Sequence, residues 1–156
     1  MKITLIQIGK THFKFIEEGF NEYVKRLKHY CKFEIKLLEI PSRLKNSVPD
    51  KIKNIEAELI LKNISSNDFI ILLDEKGKEF SSIQFAKFLE KQSLHQASLT
   101  FVIGGAYGFS DEIYKRANDK ISLSAMTFSH QIIRLIFAEQ LYRAFTIIKS
   151  EPYHHE

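Results

Sequence analysis

Leu99-Thr100-Phe101-Val102-Ile103-Gly104-Gly105-Ala106-Tyr107-Gly108 is an apolar run of strand length that ends on a cluster of glycines. Residues 99–103 read as a strand buried on both faces. Glycine directly after a strand lets the backbone turn sharply and approach a ligand closely. Four further strand candidates lie outward from this point: Ile3 to Ile8, Phe33 to Ile40 (stopped by Pro41), Phe69 to Leu73 (ending at Asp74) and Lys120 to Ser124. Helices are expected between them. Over 13–29, Phe13, Ile16, Phe20, Tyr23, Val24 and Leu27 recur at three- and four-residue spacing. A second helix starts from an Asp50 cap and runs to Lys62, with Ile52, Ile55, Leu59 and Ile60 inward. A third begins at Ser81-Ser82, a short fourth at Ser110, and the last spans 131–148. Glu75 to Phe80 reads as a charged turn around Gly77, and Ser42 to Pro49 as a loop. The alternation predicts a single α/β domain over 1–156, with a mostly parallel sheet flanked by helices.

In such sheets ligands bind beyond the carboxyl ends of the strands. The places to look are therefore after Leu73, after Ile103 and after Leu123. The glycines at 104–108 do not have the dinucleotide-binding spacing, and the first strand is followed only by Gly9-Lys10-Thr11. No Gly-Lys-Ser/Thr follows a correctly spaced glycine, which excludes a phosphate-loop nucleotide triphosphatase. An ordinary Rossmann methyltransferase would want its glycines after the first strand. Leu123-Ser124-Ala125-Met126-Thr127-Phe128-Ser129-His130 is small and apolar with hydroxyls, suited to surround a flat ring and satisfy it through backbone amides. Ser129 is an N-cap candidate for the last helix.

Composition narrows the class. The chain has 156 residues, 44% of them apolar and 27% charged, with a net charge of +4. That is enough for a core without staples, and it excludes disorder, collagen and coiled coil as the main state. No apolar run approaches the roughly 20 residues that span a bilayer, and no signal-peptide pattern is present, so a cytoplasmic protein is expected. Cys31 is alone, which excludes an internal disulfide and any thiolate-based metal site. Charge is uneven: residues 1–62 hold 13 Lys/Arg against 8 Asp/Glu, whereas 63–156 hold 10 against 11. Lys25, Arg26, Lys28, Lys32, Lys36, Arg43, Lys45, Lys51 and Lys53 would suit phosphate contacts if they share a face. The last helix is apolar nearly all round, from Ile132 to Ile148, which implies a second covering surface beyond one core.

The joint set Ile103-Gly104-Gly105-Ala106-Tyr107-Gly108, Leu123 to His130, Arg134, Ala138-Glu139-Gln140-Leu141-Tyr142-Arg143-Ala144 and Pro152-Tyr153-His154 resembles the ribosomal large-subunit pseudouridine methyltransferase (RlmH) family of the SPOUT superfamily. The likeness runs the whole chain, including the Leu72 to Lys78 turn, with departures at Ser129, where members often have Pro, and His155, where they commonly have Arg or Lys. This resemblance implies a C-terminal trefoil knot and an obligate homodimer. It also implies methylation by S-adenosylmethionine of N3 of a pseudouridine in helix 69 of 23S rRNA, in the large subunit or the whole ribosome. Carried over by position, the cofactor contacts are Leu73, Gly104, Leu123, Ser124, Ala125, Met126, Thr127 and Phe128.

Methyl transfer from a sulfonium needs position above all, plus a base for the N3 proton. His154 is the first candidate base and His130 the second, and no metal is expected. Tyr153, His155 and Arg134 are the candidate RNA contacts, Tyr153 by stacking on a base. Arg143 is expected to pair with Glu139, four residues earlier, whereas Arg134 calls for a carboxylate or phosphate partner. A catalytically silent ribosome-binding protein of the same fold is the main alternative. An α/β nucleotide- or flavin-binding oxidoreductase is disfavoured by the missing phosphate fingerprint.

Overall fold

The computed structural model describes residues 1–155. Five strands form one sheet in the order β2-β1-β4-β3-β5, every neighbouring pair parallel. The strands are β1 (Lys2–Ile8), β2 (Lys32–Leu38), β3 (Phe69–Glu79), β4 (Ser98–Ile103) and β5 (Asp119–Ser122). The helices are α1 (Lys14–Leu27), α2 (Pro49–Asn63), α3 (Ser82–His95), α4 (Asp111–Arg116) and α5 (Ile132–Ile148). The alternation of β-branched strands with amphipathic helices thus gives the parallel sheet expected of it.

Side-chain direction along the strands builds two cores. Ile3 and Leu5 of β1, Ile71 of β3 and Phe101 of β4 face α1, α3 and α5. Ile6 and Ile8, Ile70 and Leu72, and Val102 face α2 and α4. Phe101 and Phe137 have no exposed surface and pack with ring centroids 4.8 Å apart. Cys31 sits at the edge of the first core, where burial pushes its thiol pKa up to about 11. Much of the apolar girth of α5 is covered within the chain, because α5 lies between α1 and α3. Gly19 makes the α1 approach possible: a Cβ there would stand 3.1 Å from Leu135 Cδ2.

Three expectations are corrected. The second helix is not capped by Asp50; Val48 is its N-cap and Pro49 its first residue, a position where proline's missing N–H has no intrahelical partner to lose. Glu75 to Phe80 is not simply a turn, because β3 runs on to Glu79. Leu73 and Lys78 both stand opposite Ile121, so the intervening residues bulge out of the ladder. Gly77 is required in that bulge, because a Cβ would meet the backbone of Ile121 and Ser122 at 2.5 to 2.7 Å. The front-half cations do not share one face. Lys25, Arg26 and Lys28 belong to α1 and its end, while Lys51 and Lys53 lie on α2 across the sheet. Several are also held in local ion pairs: Lys25 and Arg26 with Glu22, Lys32 with Glu34, Lys53 with Asp50.

Candidate active site

The carboxyl ends of β3, β4 and β5 meet at one cleft of about 740 Å³. Its wall includes Leu73, Gly104, Leu123, Ser124, Met126, Thr127 and Phe128; Ala125, on the same loop, does not line it. A cleft of this size, walled by apolar side chains together with charged groups and hydroxyls, suits a small polar ligand.

Each strand end is shaped by a local device. At β3 the bulge pushes Asp74, Glu75 and Lys76 to the cleft. Asp74 accepts hydrogen bonds from Tyr114 Oη at 2.5 Å and from the Lys76 N–H at 2.7 Å. Burial and Asp74 raise the Tyr114 pKa, which keeps the phenol a donor. At β4 the glycines answer to separate constraints. A Cβ on Gly104 would lie 3.1 Å from the Phe109 ring. A Cβ on Gly105 would fall 2.7 Å from the carboxyl carbon of Glu56. Gly108 turns the chain at φ +74°.

Glu56 was not foreseen as a site residue. It is 5% exposed, and its Oε2 accepts the Gly105 N–H at 3.3 Å. Burial raises its pKa, against a smaller opposing effect of that hydrogen bond. The available signal was spacing: Ile52, Glu56 and Ile60 lie four apart on the buried stripe of α2, and Ile55 and Leu59, expected there, are only partly covered.

At β5 the loop folds on its own hydroxyls. Ser122 Oγ donates to the Ser124 carbonyl at 2.7 Å, and Ser124 Oγ accepts the Met126 N–H at 2.9 Å. Thr127 Oγ1 donates to Glu75 at 3.1 Å and ties this loop to the β3 bulge. Met126 is 75% exposed and Phe128 38%, so the loop offers apolar surface at the mouth. Ser129 Oγ accepts the Ile132 N–H at 3.3 Å, a capping contact at the turn that leads into α5, whose own N-cap is Gln131.

His130 lines the cleft. Burial lowers its pKa first, with the Arg134 charge and His12 adding to the effect, so it is a neutral imidazole at physiological pH. Arg134 has no exposed surface. No carboxylate of the described residues pairs with it, and three neutral oxygens take its donors: the His130 carbonyl at 3.0 Å, Thr11 Oγ1 at 2.9 Å and the Ile8 carbonyl at 2.7 Å. A guanidinium so enclosed has no surface to offer RNA, and the expectation of an RNA contact is corrected to a clamp between α5 and the end of β1.

The C-terminal tail is folded back on α5. Ser150 takes the left-handed conformation (φ 56°), with Ser150 N–H to the Ile147 carbonyl and Glu151 N–H to the Thr146 carbonyl closing a Schellman turn. Tyr30 Oη donates to the Glu151 carboxylate. The Tyr153 hydroxyl lies 3.2 Å from both Tyr23 Oη and Glu139, Arg143 sits over its ring at 4.8 Å, and the Tyr142 ring meets it at 4.8 Å. The ring expected to stack on a base is thus already occupied. Glu139 pairs with Arg143 at 2.5 Å, as its spacing implies. His154 Nδ1 stands 3.4 Å from Arg143. Arg143 is ten residues along α5 from Ile133 of the cleft wall, about 15 Å along the helix axis, so His154 and the cleft of its own chain are separated. His155 is exposed.

Among the described residues no helix is long and apolar enough to cross a membrane, and no cluster of His, Cys, Asp and Glu could hold a metal ion. Comparison with known proteins agrees with the fold. A tRNA (m1G37) methyltransferase from Aquifex aeolicus superposes with a TM-score of 0.55 over 100% of this chain and 75% of its own, at 17% identity. "Ribosomal RNA large subunit methyltransferase H" of Parabacteroides distasonis is 54% identical, with 100% of both chains covered. The protein of the same name from Christiangramia forsetii is 53% identical over 99% of each. The family model described as "Predicted SPOUT methyltransferase" matches residues 1–154. With a parallel sheet whose three strand-end loops enclose one cleft, and a match of that extent, the chain belongs to the SPOUT methyltransferase family.

Proposed function

We propose that this protein methylates N3 of a pseudouridine in helix 69 of 23S rRNA on assembled ribosomes in the cytoplasm, using S-adenosylmethionine and working as a homodimer with a C-terminal trefoil knot. The observation that carries the reading is the convergence of the β3, β4 and β5 ends on one cleft, supported by two full-length relatives named for large-subunit rRNA methylation. The residues present fit the cofactor. Leu73, Ile103, Ile121 and Leu123 offer apolar wall for a flat ring, and Asp74, Glu75 and Asp111 set negative charge around a cationic donor.

The sulfonium supplies an already activated methyl group, so the protein's share is placement and one proton. The loop 123–128 and the glycines at 104–105 hold the donor and leave the mouth open at Met126 and Phe128 for a nucleobase. An imidazole of the protein would take the N3–H proton and leave the nitrogen lone pair free for the methyl, with the neutral thioether as leaving group. We assign that imidazole to His154 of a second subunit, since its own cleft lies too far along α5. His130, neutral inside the cleft, is the base that an unchanged rate in His154→Ala would point to. His155, exposed on the tail, is placed to meet RNA. The strip Ile132, Leu135 and Ile136 of α5 is partly open and, with exposed Phe13 and Phe15, offers the second subunit an apolar face.

Two results are expected. S-adenosylmethionine at 100 times its dissociation constant stabilises the protein by about 2.7 kcal/mol in thermal unfolding, and label from its methyl group appears on one nucleotide of 23S rRNA when ribosomes are supplied. No stabilisation would favour a silent RNA binder, and label on protein or a small molecule would discard the assignment. His154→Ala lowers the single-turnover rate while leaving cofactor affinity intact. At S-adenosylmethionine well below the weakened dissociation constant of Gly105→Ala, mixed dimers of His154→Ala subunits with Gly105→Ala subunits turn over faster than either parent, because an intact cleft then faces an intact tail; mixtures no faster than their parents would remove the second subunit's histidine from the reaction.

A further inference from the structure

A second, smaller groove of about 300 Å³ adjoins the cleft and shares Lys76 and Tyr114 with it. Its wall is Lys76, Gly77, Lys78, Tyr114, Ala117, Asn118, Asp119 and Lys120. Among the described residues Lys76, Lys78 and Lys120 form no ion pair, unlike much of the basic front half. The carboxylates nearby keep their charge, but each accepts an internal donor and none of the described ones pairs with these three ammonium groups. Asp74 is taken by Tyr114 and the Lys76 N–H, Glu75 by Thr127, and Asp119 by the Lys120 N–H. Three ammonium groups are therefore left to solvent along one groove. Two are pre-set by aromatic rings: Lys78 Nζ lies 5.0 Å from the Phe80 centroid and Lys120 Nζ 5.3 Å from that of Tyr114.

We propose that this groove is where the phosphodiester backbone of the substrate RNA crosses the subunit, with Lys78 and Lys120 each neutralising a phosphate and Lys76 marking the junction where the target base turns into the cleft. The proposal rests on the functional reading above and locates its substrate on the back half of the chain, although the net positive charge is in the front half. Phosphate contacts of this kind position the nucleic acid without reading its sequence, and each one released shows in the salt dependence of binding.

The test uses the full-length protein saturated with S-adenosylmethionine and measures its affinity for assembled ribosomes between 50 and 200 mM salt. In Lys78→Gln/Lys120→Gln, the slope of log K against log salt falls by about 1.5, which is two contacts at roughly 0.7 to 0.9 each. Thermal stabilisation by the cofactor stays as in the parent, showing that fold and cleft persist. An unchanged slope with intact cofactor stabilisation overturns the groove alone. A fall produced instead by Lys45→Gln/Lys51→Gln moves the track to the basic front half and overturns it too. A parent protein that binds S-adenosylmethionine but no assembled ribosomes overturns the functional reading, and the groove with it.

Discussion

Gly105→Ala weakens S-adenosylmethionine binding by about 10- to 100-fold, and combining it with Glu56→Ala costs no more than Glu56→Ala alone. The added methyl group meets the Glu56 carboxyl carbon at 2.7 Å, against a normal contact near 3.5 Å. Glu56 is 5% exposed, so its carboxyl group cannot swing into solvent without opening the packing around it. Loop 104–108 must move, and the hydrogen bond from the Gly105 N–H to Glu56 Oε2 breaks. A bond to a charged acceptor is worth about 1.5–3 kcal/mol, which sets the range of affinity lost. In the double variant the space is empty and the Cβ fits, since Gly105 does not hold a positive φ. Calorimetric titration of the four proteins decides it. Additive losses would mean that the two residues do not act through this contact.

The same carboxyl group gives the site a pH signature. Burial raises the folded-state pKa of Glu56 above its ordinary value, so the folded chain takes up a proton more readily than the unfolded one. Its contribution to stability is therefore fully present below the ordinary glutamate pKa and is lost as pH rises through the raised value. The hydrogen bond to Gly105 runs the other way, being strongest when the carboxylate is ionised. Glu56 trades stability for loop order, the reverse of a surface ion pair. Glu56→Gln keeps an acceptor for the Gly105 N–H and removes the titration.

Fold class was legible because it rests on periodicity that burial enforces. Ile3/Leu5 and Ile6/Ile8 read as one apolar run, and they fill the two cores on either side of β1. The strand-end rule placed the cleft for a similar reason: glycine at 104 and 105 is a backbone requirement visible in the letters. What stayed hidden depends on contacts across the chain. Nothing in Glu56 shows that a glycine 49 residues away leaves room for it, and nothing in Arg134 shows that its acceptors are carbonyls. The β3 bulge escaped notice because Glu75 to Gly77 has turn composition, and only the pairing of both Leu73 and Lys78 with Ile121 makes it part of a strand.

Arg134→Met lowers stability by about 2–6 kcal/mol, from two carbonyls left without a donor at roughly 1–3 kcal/mol each, a melting-temperature drop on the order of 10 °C for a domain of this size. The guanidinium is buried without a carboxylate, and burial lowers its pKa, yet an arginine remains charged. Its charge is carried by directed bonds to the carbonyls of Ile8 and His130 and to Thr11 Oγ1. Methionine fills much of the volume but donates nothing, so two buried carbonyls lose their donor. Lysine keeps the charge, yet its single ammonium cannot span acceptors arranged for a planar fork, so Arg134→Lys is expected to fall near Met, not near the parent. The loss reaches the site as well. Arg134 joins the end of β1 to His130, the last residue of the loop that forms one wall of the cleft, and without it that loop keeps only its ties to β5, to Glu75 through Thr127 and to the start of α5 through Ser129. Urea titration measures the stability, and hydrogen exchange over 123–130 measures the loop. A Met variant within 1 kcal/mol of the parent, with unchanged exchange in that loop, would show that packing and not the fork holds α5 to the sheet.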